Sequence, residues 1–190
     1  MLPTREEAER LLIDAEKCNP GQWKDHCEYV AICAERIAAE CEELDADKAY
    51  VCGLLHDVGR KFGVWHMRHI YDGWKYMLEL GYEEVARICL SHSFSIQRIE
   101  DYVGNIDVTE EEWAELKVAL DSMNFDEYDL LIQLCDSMAG ADGIVSMEER
   151  MGDVKRRYGS YPQDKWDRNL ELKRIFSEKA GKDIYEIVMD

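Results

Sequence analysis

The chain has 190 residues, of which 46% are hydrophobic, and a formal net charge of −18. This length and composition predict one globular domain with a substantial core. The negative charge argues against general binding to DNA or RNA, because the protein surface would repel phosphate backbones. No run of about 18 apolar residues is present, so the sequence predicts no membrane span.

The seven cysteines are odd in number, and none of them forms a CxxC pair. This pattern favours buried thiols in a reducing compartment over a disulfide framework. The N-terminal stretch is charged and polar and does not resemble a signal peptide. We therefore expect a cytoplasmic protein.

Helix signals follow one another along most of the chain. "TREE" at 4–7 is a capping box that predicts a first helix ending near residue 18. Asn19 and the following proline predict the start of a second helix, whose apolar stripe runs from His26 to Cys41. Further helices are predicted from 45 or 47 to 57, at about 67–80, 82–92, 95–103, 126–139 and 163–180, and after the capping boxes at 109–112 and 146–149.

Alternating strand patterns are essentially absent, so the predicted fold is an all-α bundle of eight to ten helices. A turn-rich stretch at 139–146 separates a core at 20–140 from an appended helical region at 141–190 within one domain, 1–190. The appended region is a candidate to cover a cleft or to form a homodimer contact.

Several polar residues occupy positions that otherwise face the core. His26 lies on the apolar stripe, His56 and Asp57 directly follow two leucines, and His92 and Asp136 follow apolar residues at helical spacing. One such residue alone is more often a hydrogen-bonded core residue than a metal ligand. If no cation is bound, each of these buried residues needs its own complete set of hydrogen bonds. Imidazole and carboxylate ligands suit iron, manganese, cobalt, nickel or zinc.

The order His26, His56-Asp57, Asp136 resembles the HD superfamily of metal-dependent phosphohydrolases. "WKDHCEYVAICAERIA" resembles the first-histidine helix of that family, and "GLLHDVGR" resembles its signature. The resemblance covers residues 20–140 and implies an all-α HD-domain bundle.

One subclass of the superfamily binds two metals through two additional histidines. "HIYDG" at 69–73 matches its HxxxG turn, so we select His69 over His66, and His92 follows in "ICLSHSF". The HDxxE pattern of mononuclear nucleotidases and the GYP signature of cyclic-dinucleotide phosphodiesterases are missing. The resemblance implies one metal held by His26, His56, Asp57 and Asp136, and a second held by His69 and His92 with Asp57 bridging.

Such a site would hydrolyse a phosphate ester or anhydride with a metal-bridging hydroxide, and Asp57 would be the catalytic bridge. Arg60, Lys61 and Arg98 are candidates to bind substrate phosphate, and Gly59 would let the chain turn so that Arg60 and Lys61 face the ligand. The expected substrate is a nucleotide or another small phosphorylated metabolite. The ligand order is similar to that of bacterial dinucleoside tetraphosphate hydrolases.

Two alternatives use the same fold. Some HD proteins hold a mixed-valent di-iron centre on the same six ligands and act as oxygenases. Others are non-catalytic binding modules, which tend to lose ligands. Because this chain keeps the six ligand positions, we rank the hydrolase first, the oxygenase second and the binding module third.

Overall fold

The computed structural model describes residues 1–189, which form ten α-helices, two 3-10 helices and no strand. An isolated β-bridge joins Ala139 and Ile144. The all-α prediction is therefore confirmed. The α-helices are α1 (Arg5–Cys18), α2 (Trp23–Ala39), α3 (Ala46–Leu55), α4 (Arg68–Glu79), α5 (Glu83–Ser91), α6 (Glu110–Ser122), α7 (Glu127–Asp136), α8 (Met147–Tyr158), α9 (Gln163–Ala180) and α10 (Ile184–Val188), and the 3-10 helices are Val58–Phe62 and Ile99–Asp101.

The capping boxes begin helices where the sequence predicts them. The Thr4 hydroxyl accepts a hydrogen bond from the Glu7 backbone N–H, and the Glu7 carboxylate accepts one from the Thr4 N–H. The same reciprocal pair is present at Thr109 and at Ser146. Each box satisfies donors that a helix start otherwise leaves unpaired.

Two local predictions are wrong. Asn19 does not cap α2, which begins at Trp23; it ends α1, and its side-chain amide donates to the Arg60 carbonyl at 2.6 Å. The segment 95–103 contains only the short Ile99–Asp101 3-10 helix. There the Gln97 amide donates to two carbonyls at the end of α6, so tertiary hydrogen bonds hold the segment as a loop.

α2 and α3 pack closely against each other in the core. At Gly53 a Cβ would lie 2.8 Å from the Cα of Ala31, so only glycine permits this separation. The appended region packs on the same core, because Leu172 and Phe176 of α9 belong to one apolar cluster with Ile37 of α2. Burial of such side chains is the main source of stability for helices of this length.

Within residues 1–189, none of the helices combines the length and the apolar character that a membrane span requires.

Candidate metal centre

Six polar residues from five parts of the helical core converge at one site. They are His26 in α2, His56 and Asp57 directly after α3, His69 in the first turn of α4, His92 directly after α5, and Asp136 at the end of α7. Their nitrogen and oxygen atoms form three overlapping groups, and within each group the atoms lie within 4.8 Å of one another. The groups are His26, His56 and Asp57; His56, His92 and Asp136; and Asp57, His69 and His92.

Each histidine ring is oriented by a backbone carbonyl at its Nδ1 atom. A carbonyl only accepts hydrogen bonds, so Nδ1 carries the proton and a neutral ring presents the lone pair of Nε2 to the site. The carbonyls belong to Ala139 for His26 (3.2 Å), Gly53 for His56 (2.7 Å), Cys89 for His92 (2.9 Å) and His66 for His69.

The Nε2 atoms point at carboxylate oxygens and at each other. Asp57 Oδ1 lies 2.9 Å from His69 Nε2 and 3.5 Å from His92 Nε2, and these two nitrogens are 3.3 Å apart. Asp136 Oδ1 lies 3.1 Å from His26 Nε2. Lone pairs and anionic oxygens at these distances repel one another unless a cation lies between them.

Two buried atoms of the site also make no hydrogen bond, His56 Nε2 and Asp57 Oδ1. Buried polar atoms without partners are rare in folded proteins, and a missing ion is one of their common explanations. With imidazole nitrogens and carboxylate oxygens, the donor set fits divalent transition-metal ions. Nδ1 bonds to carbonyls also hold metal-binding rings in place in other proteins.

The protonation states are those that metal binding requires. Burial lowers the pKa of His56 to about 4. Burial, together with the nearby Arg60 guanidinium, lowers the pKa of His69 to about 4. Both rings are therefore neutral at pH 7 and can donate a lone pair to a metal.

Asp57 is ionised although it is buried. Burial alone would raise the pKa of its carboxyl group, but the Arg60 guanidinium holds that pKa well below its usual range. Arg60 Nε donates to Asp57 Oδ2, which leaves Oδ1 facing His69 and His92. The ion pair thus keeps one carboxylate oxygen directed into the site.

Gly59 positions the site by close packing. A Cβ at this residue would lie inside the contact distance of the His69 carbonyl and 2.5 Å from Gly73 N, so only glycine lets the Val58–Phe62 3-10 helix reach the backbone of α4. Gly59 itself lies inside the 3-10 helix, and the positive backbone angle of this segment is at Gly63, where φ is +146°.

The site opens onto a cleft of about 410 Å³, within the usual size range of small-molecule sites. Arg60 lines this cleft. Lys61 and Arg98 do not. The Lys61 ammonium lies 3.8 Å from the centre of the Tyr76 ring, where cation–π attraction holds it.

Arg98 is half-exposed and pairs with Asp101 and Asp164, at 2.5 and 2.8 Å. The structure therefore does not bring Lys61 and Arg98, two of the predicted phosphate-binding candidates, to the cleft. Both cations have partners elsewhere on the surface.

Several residues after position 141 also line the cleft, and none of them was a candidate site residue from the sequence. They are Arg150, Met151, Val154, Arg157 and Tyr158 of α8, Tyr161, and Lys165 and Asn169 of α9. Lys165 and Asn169 precede Leu172 and Phe176 on one stripe, at steps of four, three and four. The helical spacing that places His26 on an apolar stripe therefore also places these two polar residues on one.

Comparisons with known proteins give one match. Residues 23–141, well over half of the chain, match the family model of the HD domain. The searches of curated proteins and of solved structures give no significant match.

Proposed function

The chain belongs to the HD-domain family, and on that premise we propose that it is a metal-dependent phosphohydrolase acting on a nucleotide or another small phosphorylated metabolite. The observation that carries the proposal is the convergence of imidazole lone pairs and two carboxylates at the wall of a cleft. That arrangement suits cations, and the cleft suits a small ligand.

We assign two metal positions to the six residues. Asp57 belongs to two of the three atom groups. Its Oδ1 faces His69 and His92, and its Oδ2, which accepts from Arg60 Nε, lies 3.9 Å from His56 Nε2. A carboxylate shared by two groups would be suited to bridge two cations. His26, His56 and Asp136 complete the first position, and His69 and His92 complete the second.

When bound, divalent cations supply Lewis-acid chemistry: they lower the pKa of a coordinated water and stabilise negative charge on phosphoryl oxygens. The chain's own residues prepare the site for this. The carbonyl-bound Nδ1 atoms hold the rings in one tautomer. Arg60 keeps Asp57 ionised and oriented, and its Nη1 donates to the Trp65 carbonyl at 3.3 Å.

Aromatic side chains support an organic substrate with a flat or apolar part. Trp23, Trp65 and Tyr158 line the cleft, and Trp65 is 41% exposed. The Tyr158 hydroxyl lies 3.3 Å from His66 Nδ1, so α8 contacts the segment before α4 beside the cleft. An exposed indole at the wall of this cleft would suit stacking with a nucleobase.

The first experiment measures metal content by elemental mass spectrometry on protein purified without chelators. We expect about two transition-metal ions per chain, and one or fewer in His69→Ala. His66→Ala is the matched control, because His66 is three residues away and belongs to none of the three atom groups. Its metal content should equal that of the wild type.

The second experiment measures phosphate release from a panel of phosphomonoesters and nucleotides with Mn²⁺ under anaerobic conditions. Turnover without oxygen supports the hydrolase. Iron-dependent product that forms only with oxygen would replace the proposal with the oxygenase. Stable metal binding with neither reaction would leave a non-catalytic binding module.

A further inference from the structure

The wall that α9 contributes to the cleft contains a buried ammonium group. Lys165 lines the cleft, is only 8% exposed, and its Nζ donates to the Ser93 carbonyl at 2.7 Å. Ser93 directly follows His92, so the ammonium group is next to the candidate metal centre. Lys165 also lies outside residues 23–141, the part that matches the HD-domain model.

Lys165 differs from the other cations of the cleft. Each arginine there has a carboxylate within 4.0 Å, whereas within residues 1–189 Lys165 has none at that distance. The arginine pairs are Arg60 with Asp57, Arg150 with Asp136 at 4.0 Å, and Arg157 with Asp153 at 2.9 Å.

A buried ammonium group without a carboxylate in contact is costly. Asp136 and Asp101 attract Lys165 only from beyond 4.0 Å, and a bound anion in direct contact would lower that cost further. Burial lowers the pKa of Lys165 to about 8, so in most molecules this side chain is still charged at pH 7. A single carbonyl takes up only one of the three N–H donors of the ammonium group. The remaining donors are available to a ligand.

A second donor lies on the same wall. The Asn169 amide, one turn after Lys165, donates to the Tyr161 hydroxyl oxygen at 2.9 Å. Tyr161 therefore accepts through its oxygen and keeps its own O–H proton for another acceptor. The Lys165 ammonium lies 5.9 Å from the centre of the Tyr161 ring, and both residues line the cleft.

We propose that Lys165 and Tyr161 bind an anionic phosphoryl oxygen of the substrate, so that the substrate site includes residues from the C-terminal helices. This inference rests on the proposed function and adds a substrate contact to it. An ammonium group and a phenol offer the charge-assisted donors that phosphoryl oxygens accept.

The test is calorimetric titration of the Mn²⁺-loaded protein with inorganic phosphate. Lys165→Met should weaken phosphate binding by about ten- to a hundredfold, as expected for the loss of a charge-assisted hydrogen bond. Lys165→Arg should retain part of the affinity, and Tyr161→Phe should weaken binding less than Lys165→Met does. Lys155→Met is the control, because it removes the same charge from an exposed position on α8 outside the cleft.

Metal content and melting temperature of each variant separate loss of the ligand contact from loss of the fold. If Lys165→Met is unstable, the phosphate affinities of Tyr161→Phe and Lys165→Arg test the inference instead. Wild-type affinity in Lys165→Met, or equal weakening in Lys155→Met, would overturn the inference and leave the proposed function intact. Phosphate binding that depends on Lys165, without hydrolysis of any ester, would overturn the proposed function alone. A metal-loaded wild type that binds no phosphate would overturn both.

Discussion

The candidate metal centre and the α9 wall, formed by Lys165 and Asn169, line the same cleft, but their polar groups have different partners. At the metal centre, buried rings are fixed by carbonyls of tightly packed helices, and their lone pairs meet anionic oxygens. On the α9 wall, the buried Lys165 ammonium group donates to a carbonyl, and no carboxylate among residues 1–189 lies within 4.0 Å of it. The imidazole lone pairs and carboxylate oxygens of the first region suit cations, and the Lys165 ammonium group of the second suits an anion, so a metal-bound phosphoryl group would complement both.

The packing around the two regions differs as well. α2 and α3 approach so closely that Gly53 cannot be replaced without a clash, whereas α8 beside the α9 wall buries only Met147 and Met151. Elements with few buried apolar contacts open at lower free energy than core helices. We therefore expect substitutions near the metal centre to affect structure and metal binding, and substitutions on the wall to affect ligand binding.

The largest expected effect is a difference in metal binding and activity between variants of two buried aspartates, Asp57 and Asp129. Asp57→Asn should abolish binding at the bridging position and lower kcat/KM by about a thousandfold or more, exceeding the 10- to 100-fold typical of residues that only support ligands. Asp129→Asn is the control, because Asp129 is equally buried but pairs with Arg87 and Ser91 outside the site. It should lower the free energy of unfolding by about 3–5 kcal/mol without loss of metal.

Metal analysis and urea unfolding check both variants. Full metal content in Asp57→Asn would contradict the assignment of this residue as the bridge.

The next effect concerns the pH dependence of the metal-free protein. His56 and His69 have a pKa of about 4 when folded, against an ordinary value of 6.5. Between these pH values the unfolded chain binds more protons, so stability is lost as the pH falls from about 6.5 to about 4. The slope should be about 1.4 kcal/mol per pH unit for each ring.

Urea unfolding of chelator-treated protein at several pH values measures this slope. His56→Gln should reduce the slope by about the contribution of one histidine. A stability that stays constant from pH 7 to pH 5 would contradict the burial of these rings in neutral form.

A smaller effect compares glycines of the two regions. Gly59→Ala should destabilise the protein by about 1–3 kcal/mol and release metal, because the Cβ pushes the 3-10 helix away from α4 and His69. Gly152→Ala in α8 is the control, since its Cβ meets only the flexible Arg156 side chain at 3.8 Å. It should stabilise α8 by about 0.5–1 kcal/mol.

Thermal denaturation with and without Mn²⁺ distinguishes the two variants. Wild-type metal content and melting temperature in Gly59→Ala would contradict the packing role of Gly59.

The smallest effects are expected at Lys61 and Arg98. Lys61→Met and Arg98→Met should change KM for the best phosphorylated substrate by no more than about twofold, because both side chains pair outside the cleft. Steady-state kinetics beside Lys165→Met provide the comparison. A KM increase in either variant as large as that in Lys165→Met would show that these cations reach the ligand.

Much of the fold follows from local rules. The capping boxes at Thr4, Thr109 and Ser146 begin helices where the sequence predicts them, because a cap depends on residues three positions apart. The predictions failed where distant residues decide the structure. Asn19 bonds to Arg60, 41 positions away, and Gln97 bonds to carbonyls of α6.

The sequence by itself determined the helical class, the identity and order of the six polar residues, and the chemistry that imidazole and carboxylate can support. Only the tertiary structure decided which nitrogen of each ring faces inward, why residue 59 is glycine, and which cations reach the cleft. Lys165 contacts Ser93 across 72 positions, while Lys61, four positions after Asp57, packs on Tyr76 instead. Helical periodicity and capping act over a few residues, whereas the direction of a side chain at a site depends on how separate helices pack against one another.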